Sequence, residues 1–217
     1  SVGDRVTVGG ARQGCGQCYF CRRFLPHLCL GVTGIRATCY YDLRPRGHVN
    51  RSGAMAEYFI RAPTSVQKIP DSVSDEEAAL VEPLSSGLSA AKAAELVPGD
   101  SAVVIGAGKI GLGTMLCAKA AGAAPVIVID VVKSRLDKAL EMGADTVINA
   151  KEVDVVSEVI KLIEAGPDAV LICVRDGRVL NQAVDMVRSG GIIAIAGFMI
   201  HMEVNPSLWV WTRRRFG

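Results

Sequence analysis

Apolar residues recur along this chain in two rhythms. Up to residue 70 they come in short alternating runs, at 5–8, 56–60 and 66–68, separated by glycine and proline. That pattern predicts the strands and turns of an irregular β domain. The polar segment 36–51, with Pro45 and Gly47, reads as an exposed loop. Beyond residue 70 the period lengthens. Ser74-Asp75-Glu76-Glu77 has the form of a capping box, with Ser74 as N-cap and Glu77 at the third helical position. Proline disfavours helical geometry in the residue before it, so Pro83 predicts a break at Glu82. A second helix is expected from Pro83 through Glu95, stopped by Pro98-Gly99-Asp100.

Strand and helix then alternate. Strands are expected at 102–105, 126–129, 146–148, 169–174 and 192–196, and helices at 110–121, 134–142, 153–164 and 179–187. The strands are β-branched and apolar, whereas the helices keep charges on one face, as in Lys133, Arg135, Asp137, Lys138 and Glu141. Repeated βα units of this kind build a doubly wound parallel sheet. The fold class is therefore α/β, with a first domain over 1–86 and a dinucleotide-type domain over 87–217.

Composition agrees. Half of the 217 residues are hydrophobic, only 5% are aromatic and 23 are glycine, which suits parallel strands buried on both faces. No apolar run approaches the roughly 18 residues of a membrane span. Ser1-Val2-Gly3-Asp4-Arg5-Val6 is neither a signal peptide nor an obvious start, so the expectation is a stretch internal to a larger cytoplasmic protein. Residues 1–63 carry nine arginines and no lysine against Asp4, Asp42 and Glu57. A nucleic-acid surface would explain that excess, but no aromatic interleaving or nucleic-acid motif accompanies it. The run Arg213-Arg214-Arg215 reads as a solvated turn.

The first candidate chemistry is a cysteine quartet. Cys15, Cys18, Cys21 and Cys29 follow C-x2-C-x2-C-x7-C, close enough for four thiolates to converge on one zinc at about 2.3 Å each. Disulfides fit poorly, since seven cysteines cannot all pair and no secretory signal is seen. An iron–sulfur site is the sharper rival, but Leu30 follows Cys29 where the bacterial ferredoxin run has proline. A closed four-thiolate site has no open position and serves structure. Such a site carries a net charge of −2, which Arg22 and Arg23 could offset. Cys39, Cys117 and Cys173 are isolated, and core packing is the expectation for the last two.

The second is Gly106-Ala107-Gly108-Lys109-Ile110-Gly111, a G-x-G-x-x-G string. Alone it says little. Between an apolar strand and a helix it predicts a turn that admits a pyrophosphate to the helix N-terminus. Asp130 closes the next strand, 19 residues beyond Gly111, where a carboxylate accepts hydrogen bonds from the adenosine ribose and repels a 2′-phosphate. NAD is thus expected over NADP. Asp130 as a helix-capping carboxylate, and Arg135 as either an adenosine contact or a surface arginine, remain open. A methyltransferase could use a similar turn and acid, but the cysteine lobe argues against it.

Together these features resemble the zinc-dependent medium-chain alcohol dehydrogenases, in the sorbitol and threonine dehydrogenase branch. Val2-Gly3-Asp4-Arg5-Val6 is similar to a family strand, and Gly14-Cys15-Gly16 with the following cysteines to its structural-zinc lobe. Gly53-Ala54-Met55-Ala56-Glu57-Tyr58 and Glu82-Pro83-Leu84 match two further segments. The resemblance implies part of a GroES-like domain followed by a Rossmann domain. It implies hydride transfer between an alcohol or polyol and NAD, a structural and a catalytic zinc, and a homo-oligomer. It puts Glu82 at the catalytic zinc as ligand or near neighbour, and hence as the catalytic candidate. The coenzyme candidates are Gly106, Gly108, Lys109, Ile110, Gly111, Asp130, Arg135, Ala196, Gly197 and Phe198.

The departures matter as well. The family's first catalytic-zinc ligand, proton-relay hydroxyl and Gly-His-Glu motif lie upstream of Val2-Gly3-Asp4, and its last Rossmann strand is expected after Gly217. None of His27, His48 or His201 sits in a Gly-His-Glu context. Arg175 stands where relatives carry a small residue. On this reading the 217 residues bind one structural zinc, hold NAD weakly and have no dehydrogenase turnover by themselves. A non-enzymatic zinc and dinucleotide module, or a zinc-free quinone or enoyl reductase, is the alternative.

Overall fold

The computed structural model describes residues 2–8, 19–24, 57–58, 66–197 and 215–216. Cys15, Cys18, Cys29, Phe198, the loop 36–51 and all three histidines lie outside these residues, so the quartet is represented by Cys21 alone. The chain divides into two compact units, Ser1–Ala79 and Leu80–Gly217.

In the first unit β1 (Val6–Val8) pairs antiparallel with β2 (Val66–Lys68), Thr7 opposite Gln67. Lys68 meets Asp4 at 2.8 Å, and the Arg5 guanidinium grips Asp75 at 2.7 and 2.9 Å. Glu57 and Tyr58, described from the expected strand 56–60, are exposed and lie outside any strand. A short 3-10 turn, Cys21–Arg23, ends at Phe24 in the left-handed region, with the Arg23 guanidinium 3.7 Å from the Tyr19 ring centre. Arg23 is thus held on an aromatic face.

The capping box forms as its sequence requires. Glu77 N–H donates to Ser74 Oγ at 3.1 Å and Ser74 N–H to Glu77 Oε2 at 2.8 Å, opening α1 (Asp75–Ala79). The helix break does not fall at Glu82. It falls at Leu80, and α2 (Val81–Ala93) runs straight through Glu82 and Pro83. Pro83 is the third residue of α2, where a backbone N–H would have no intrahelical acceptor, so its missing donor costs nothing. The helix ends at Ala93, and Glu95, just past its C-cap, has a left-handed φ of 52°.

From Ala102 the expected alternation appears. The elements are β3 (Ala102–Ile105), α3 (Lys109–Ala120), β4 (Val126–Asp130), α4 (Lys133–Glu141), β5 (Thr146–Asn149), α5 (Val155–Leu162), β6 (Ala169–Ile172), α6 (Val179–Met186) and β7 (Ile192–Ile195). They form a parallel sheet in the order β5-β4-β3-β6-β7, extended by β8 (Arg215–Phe216) beside Ile192 and Ile193. The sixth position of the sheet is therefore filled from within the chain, and Arg215 belongs to a strand rather than a turn. A two-residue strand is too short to show periodicity.

Both faces are covered. Val104, Val126, Val128 and Leu171 pack with small residues, Ala90, Ala118 and Ala139 from α2, α3 and α4. On the opposite face Val103, Ile105, Ile127, Val170 and Ile172 meet Val155, Val159, Leu180 and Val184 from α5 and α6. Each such side chain, essentially inaccessible to solvent, contributes about 1.5–3 kcal/mol by leaving water. Alanines let α2 and α3 approach closely, and glycine takes this further. A Cβ on Gly87 would lie 2.6 Å from the backbone of Gly113 and Thr114, so the two helices touch main chain to main chain.

Candidate dinucleotide-binding site

The strand order reverses between β3 and β6, which opens a crevice above their carboxyl ends. The glycine string occupies this position. Gly106 follows β3 with φ +104°, a conformation that favours glycine, and a Cβ there would strike Val174 Cγ1 at 2.6 Å. Gly111 must be bare too, because a Cβ would sit 1.6 Å from the Gly106 carbonyl oxygen. Gly108 differs. Its φ is ordinary at −77°, and among the described residues a Cβ would meet nothing within 4 Å. It serves as N-cap of α3, and no described side chain caps the helix, which leaves the positive end of α3 without a side-chain acceptor among the described residues. Lys109 is exposed and Ile110 half-buried at that end.

Asp130 ends β4 with its side chain only 6% exposed. Oδ2 accepts the Ala107 N–H at 2.7 Å, and Oδ1 accepts those of Val131 and Val132 at 2.7 and 2.9 Å. It does not cap α4, whose N-cap is Val132 without a side-chain bond. Arg135, half exposed, brings Nη1 to 3.9 Å from Oδ2. On the other side of the crevice, the Ala196 and Gly197 N–H groups both donate to the Ile172 carbonyl, at 2.9 and 3.0 Å. A Cβ on Gly197 would lie 2.1 Å from the Val174 carbonyl oxygen. Val174 is thus wedged between the turns after β3 and β7. Arg175 follows it, exposed, ahead of the Asp176–Arg178 pair.

The sequence overlooked how Cys173 sits here. It is a β6-end thiol 3.4 Å from Thr114 Oγ1 of α3. Burial pushes it up to about 11, only partly offset by the threonine bond. Val131, next to Asp130, is also exposed. An apolar residue just past a strand-end carboxylate is a visible signal that strand-by-strand reading passes over.

Glu82 stands apart from these groups. It lies exposed in the first turn of α2, its carbonyl accepting the Ser85 hydroxyl at 2.7 Å. Its neighbour Pro83 places its carbonyl 3.4 Å from where a Gly113 Cβ would stand. Among the described residues no three His, Cys, Asp or Glu side chains gather as a metal site. Glu82 is therefore not part of such a group among the described residues. The glycine turn with Asp130, by contrast, fits a dinucleotide: open room at Gly108, an uncapped helix end and a carboxylate beside both. No described helix is long and apolar enough to cross a membrane.

Residues 110–215 match the zinc-binding dehydrogenase family. Over 204 residues the chain is 36% identical to a sorbitol dehydrogenase of Bacillus subtilis strain 168, covering 94% of this chain and 54% of that protein. The chain thus spans about half the length of the curated relatives it matches. Among solved structures it is similar to a putative zinc-binding dehydrogenase from Sinorhizobium meliloti 1021 bound to NADP. The TM-score there is 0.82 at 26% identity, over 98% of this chain and 60% of that one. A short chain alcohol dehydrogenase from Escherichia coli CFT073, complexed with cofactor NADH, gives a TM-score of 0.82 at 27% identity, over 99% and 60%.

Proposed function

The chain belongs to the zinc-dependent medium-chain alcohol dehydrogenases, and we propose on that premise that it supplies the coenzyme half of an enzyme moving hydride between a small alcohol or polyol and NAD. The observation that carries this is the open, uncapped turn at Gly108 with Asp130 beside it. Bound there, the coenzyme is the hydride acceptor, and a zinc in such enzymes polarises the substrate oxygen. The chain's own residues do the positioning. The α3 N-terminus meets the pyrophosphate, and Lys109 adds positive charge at the rim. Asp130 accepts the ribose hydroxyls and disfavours a 2′-phosphate, with Arg135 at the adenosine edge. Gly106, Ile110, Gly111, Ala196 and Gly197 shape the walls, and Phe198 is assigned to the coenzyme on the family resemblance.

Cys15, Cys18, Cys21 and Cys29 are assigned to a structural zinc on their spacing. Glu82 is assigned to the catalytic metal, directly or through water, with its other ligands supplied from outside the described residues. Reduced thiols of this pattern suit the cytoplasm, and the family resemblance supports a homo-oligomer.

Gly108→Asp tests the reading. Aspartate is a favoured N-cap, so the substitution leaves the apo protein at least as stable as the parent. Its charge and bulk occupy the pyrophosphate space, and NAD binding by calorimetry weakens at least about tenfold, the effect of about 1.4 kcal/mol. Equal NAD affinity in parent and variant, or none in the parent, refutes the site. Metal analysis is expected to find zinc bound to the cysteine lobe. NAD and zinc binding without alcohol turnover by the full-length protein would identify a non-enzymatic module instead.

A further inference from the structure

We propose that Asp130 is a positioning residue for the phosphate turn itself, holding it in its binding shape before any coenzyme arrives. The proposal takes only the identity of the ligand from the dinucleotide reading above. Two consecutive amides of the turn are anchored on the end of β4. Gly106 N–H donates to the Ile129 carbonyl at 2.7 Å, and Ala107 N–H donates to Asp130 Oδ2 at 2.7 Å. The same carboxylate ties down the turn after β4 through Val131 and Val132. It is a short, charge-assisted set of three bonds to a side chain withdrawn from water.

The turn has little else to hold it. Among the described residues, the next one, Gly108, meets nothing through the place of a Cβ, and no side chain caps α3. Without the carboxylate, the Gly106–Ala107 peptide would be held only through its neighbours, and the α3 N–H groups would have to be ordered at the moment of binding. Fixing them beforehand removes that cost from the coenzyme's affinity. The division of labour within the carboxylate is also legible. Oδ1 already accepts two N–H groups and Oδ2 one, so Oδ2 keeps the lone pair that a ribose hydroxyl can use. Clamp and ribose contact therefore share one side chain without competing for the same acceptor site.

Two measurements on the full-length protein separate the duties. In the absence of ligand, Asp130→Asn puts an amide NH2 against at least one of the three N–H groups. Hydrogen exchange in the peptides carrying Ala107 and Val131–Val132 is expected to rise by on the order of tenfold, while exchange in β3 and β6 stays as in the parent. Asp130→Glu keeps a charge for the ribose but displaces the carboxylate by a methylene, and shows the same rise; it replaces the asparagine variant if that variant fails to fold. The second measurement compares NAD with its 2′,3′-dideoxyadenosine analogue. If Asp130 acted only through the hydroxyls, the analogue would bind parent and variant equally. The clamp predicts that the analogue, too, loses at least about threefold in affinity. Unchanged exchange at Ala107 overturns the proposal whatever the ligand data show, and so does an analogue that binds both proteins alike. A parent that binds no dinucleotide defeats the functional reading, while the exchange result still decides the clamp.

Discussion

Cys173 follows β6 and Asp130 ends β4, the two strands on either side of β3. Burial raises the Cys173 thiol to about 11, so the reactive thiolate is scarce at neutral pH. Cys173 is accordingly expected to resist iodoacetamide at pH 7.5 in the native protein and to react once denaturant is added. Mass spectrometry of the tryptic peptide reads this directly, and rapid native labelling would contradict it. Asp130 was legible from its place 19 residues after Gly111. Its grip on Ala107 was not, because side-chain to backbone bonds across 23 residues leave no trace in periodicity. Cys173 read as core packing from its apolar run, and its Thr114 partner on α3 needed the fold to be seen.

Whole elements were easier to read than their ends. The parallel strands and their helices appear where alternation and β-branched runs place them, because burial on both faces leaves a strong apolar signal. Boundaries failed where one rule was applied without its exception. Pro83 predicts a helix end at Glu82, but proline is tolerated in a first turn, and the break lies at Leu80 instead. Gly87 and Gly113 each lie inside a helix, where sequence periodicity gives them no marked role. They are the contact through which α2 and α3 pack. Gly87→Ala is expected to push the helices apart and cost about 1–3 kcal/mol in urea denaturation, despite alanine's better helix propensity. A neutral or stabilising result would show that the helices separate easily.

At the scale of the molecule, a second set of polar clasps, apart from Asp130, lies at the amino ends of the strands. Asp168 accepts from Ser101 N–H and Oγ at 2.8 and 2.7 Å and pairs with Arg188 at 2.7 Å. Asp145 bonds Val126 N–H and Lys119. Burial works against the Asp168 charge, but the bonds from Ser101 and Arg188 outweigh it and hold its pKa below the usual 3.8. The Lys119 bond leads in lowering Asp145. A folded pKa below the unfolded one means stabilisation present above the unfolded value and lost as pH falls through the folded one. Melting temperature should therefore be level near neutrality, fall as pH drops towards 3.8 and keep falling below it. Asp168→Asn should flatten part of that acid limb, and an unchanged limb would remove Asp168 from the account.

The main-chain contact of α2 with α3 has a mechanical consequence. Glu82 begins α2 and belongs to the unit Leu80–Gly217, not to the strands and cysteines before it. Gly87 against Gly113 leaves no side-chain layer to act as a slip plane. Glu82 and the phosphate turn are thereby tied to each other within the one unit Leu80–Gly217, through backbone contact between the helices that carry them.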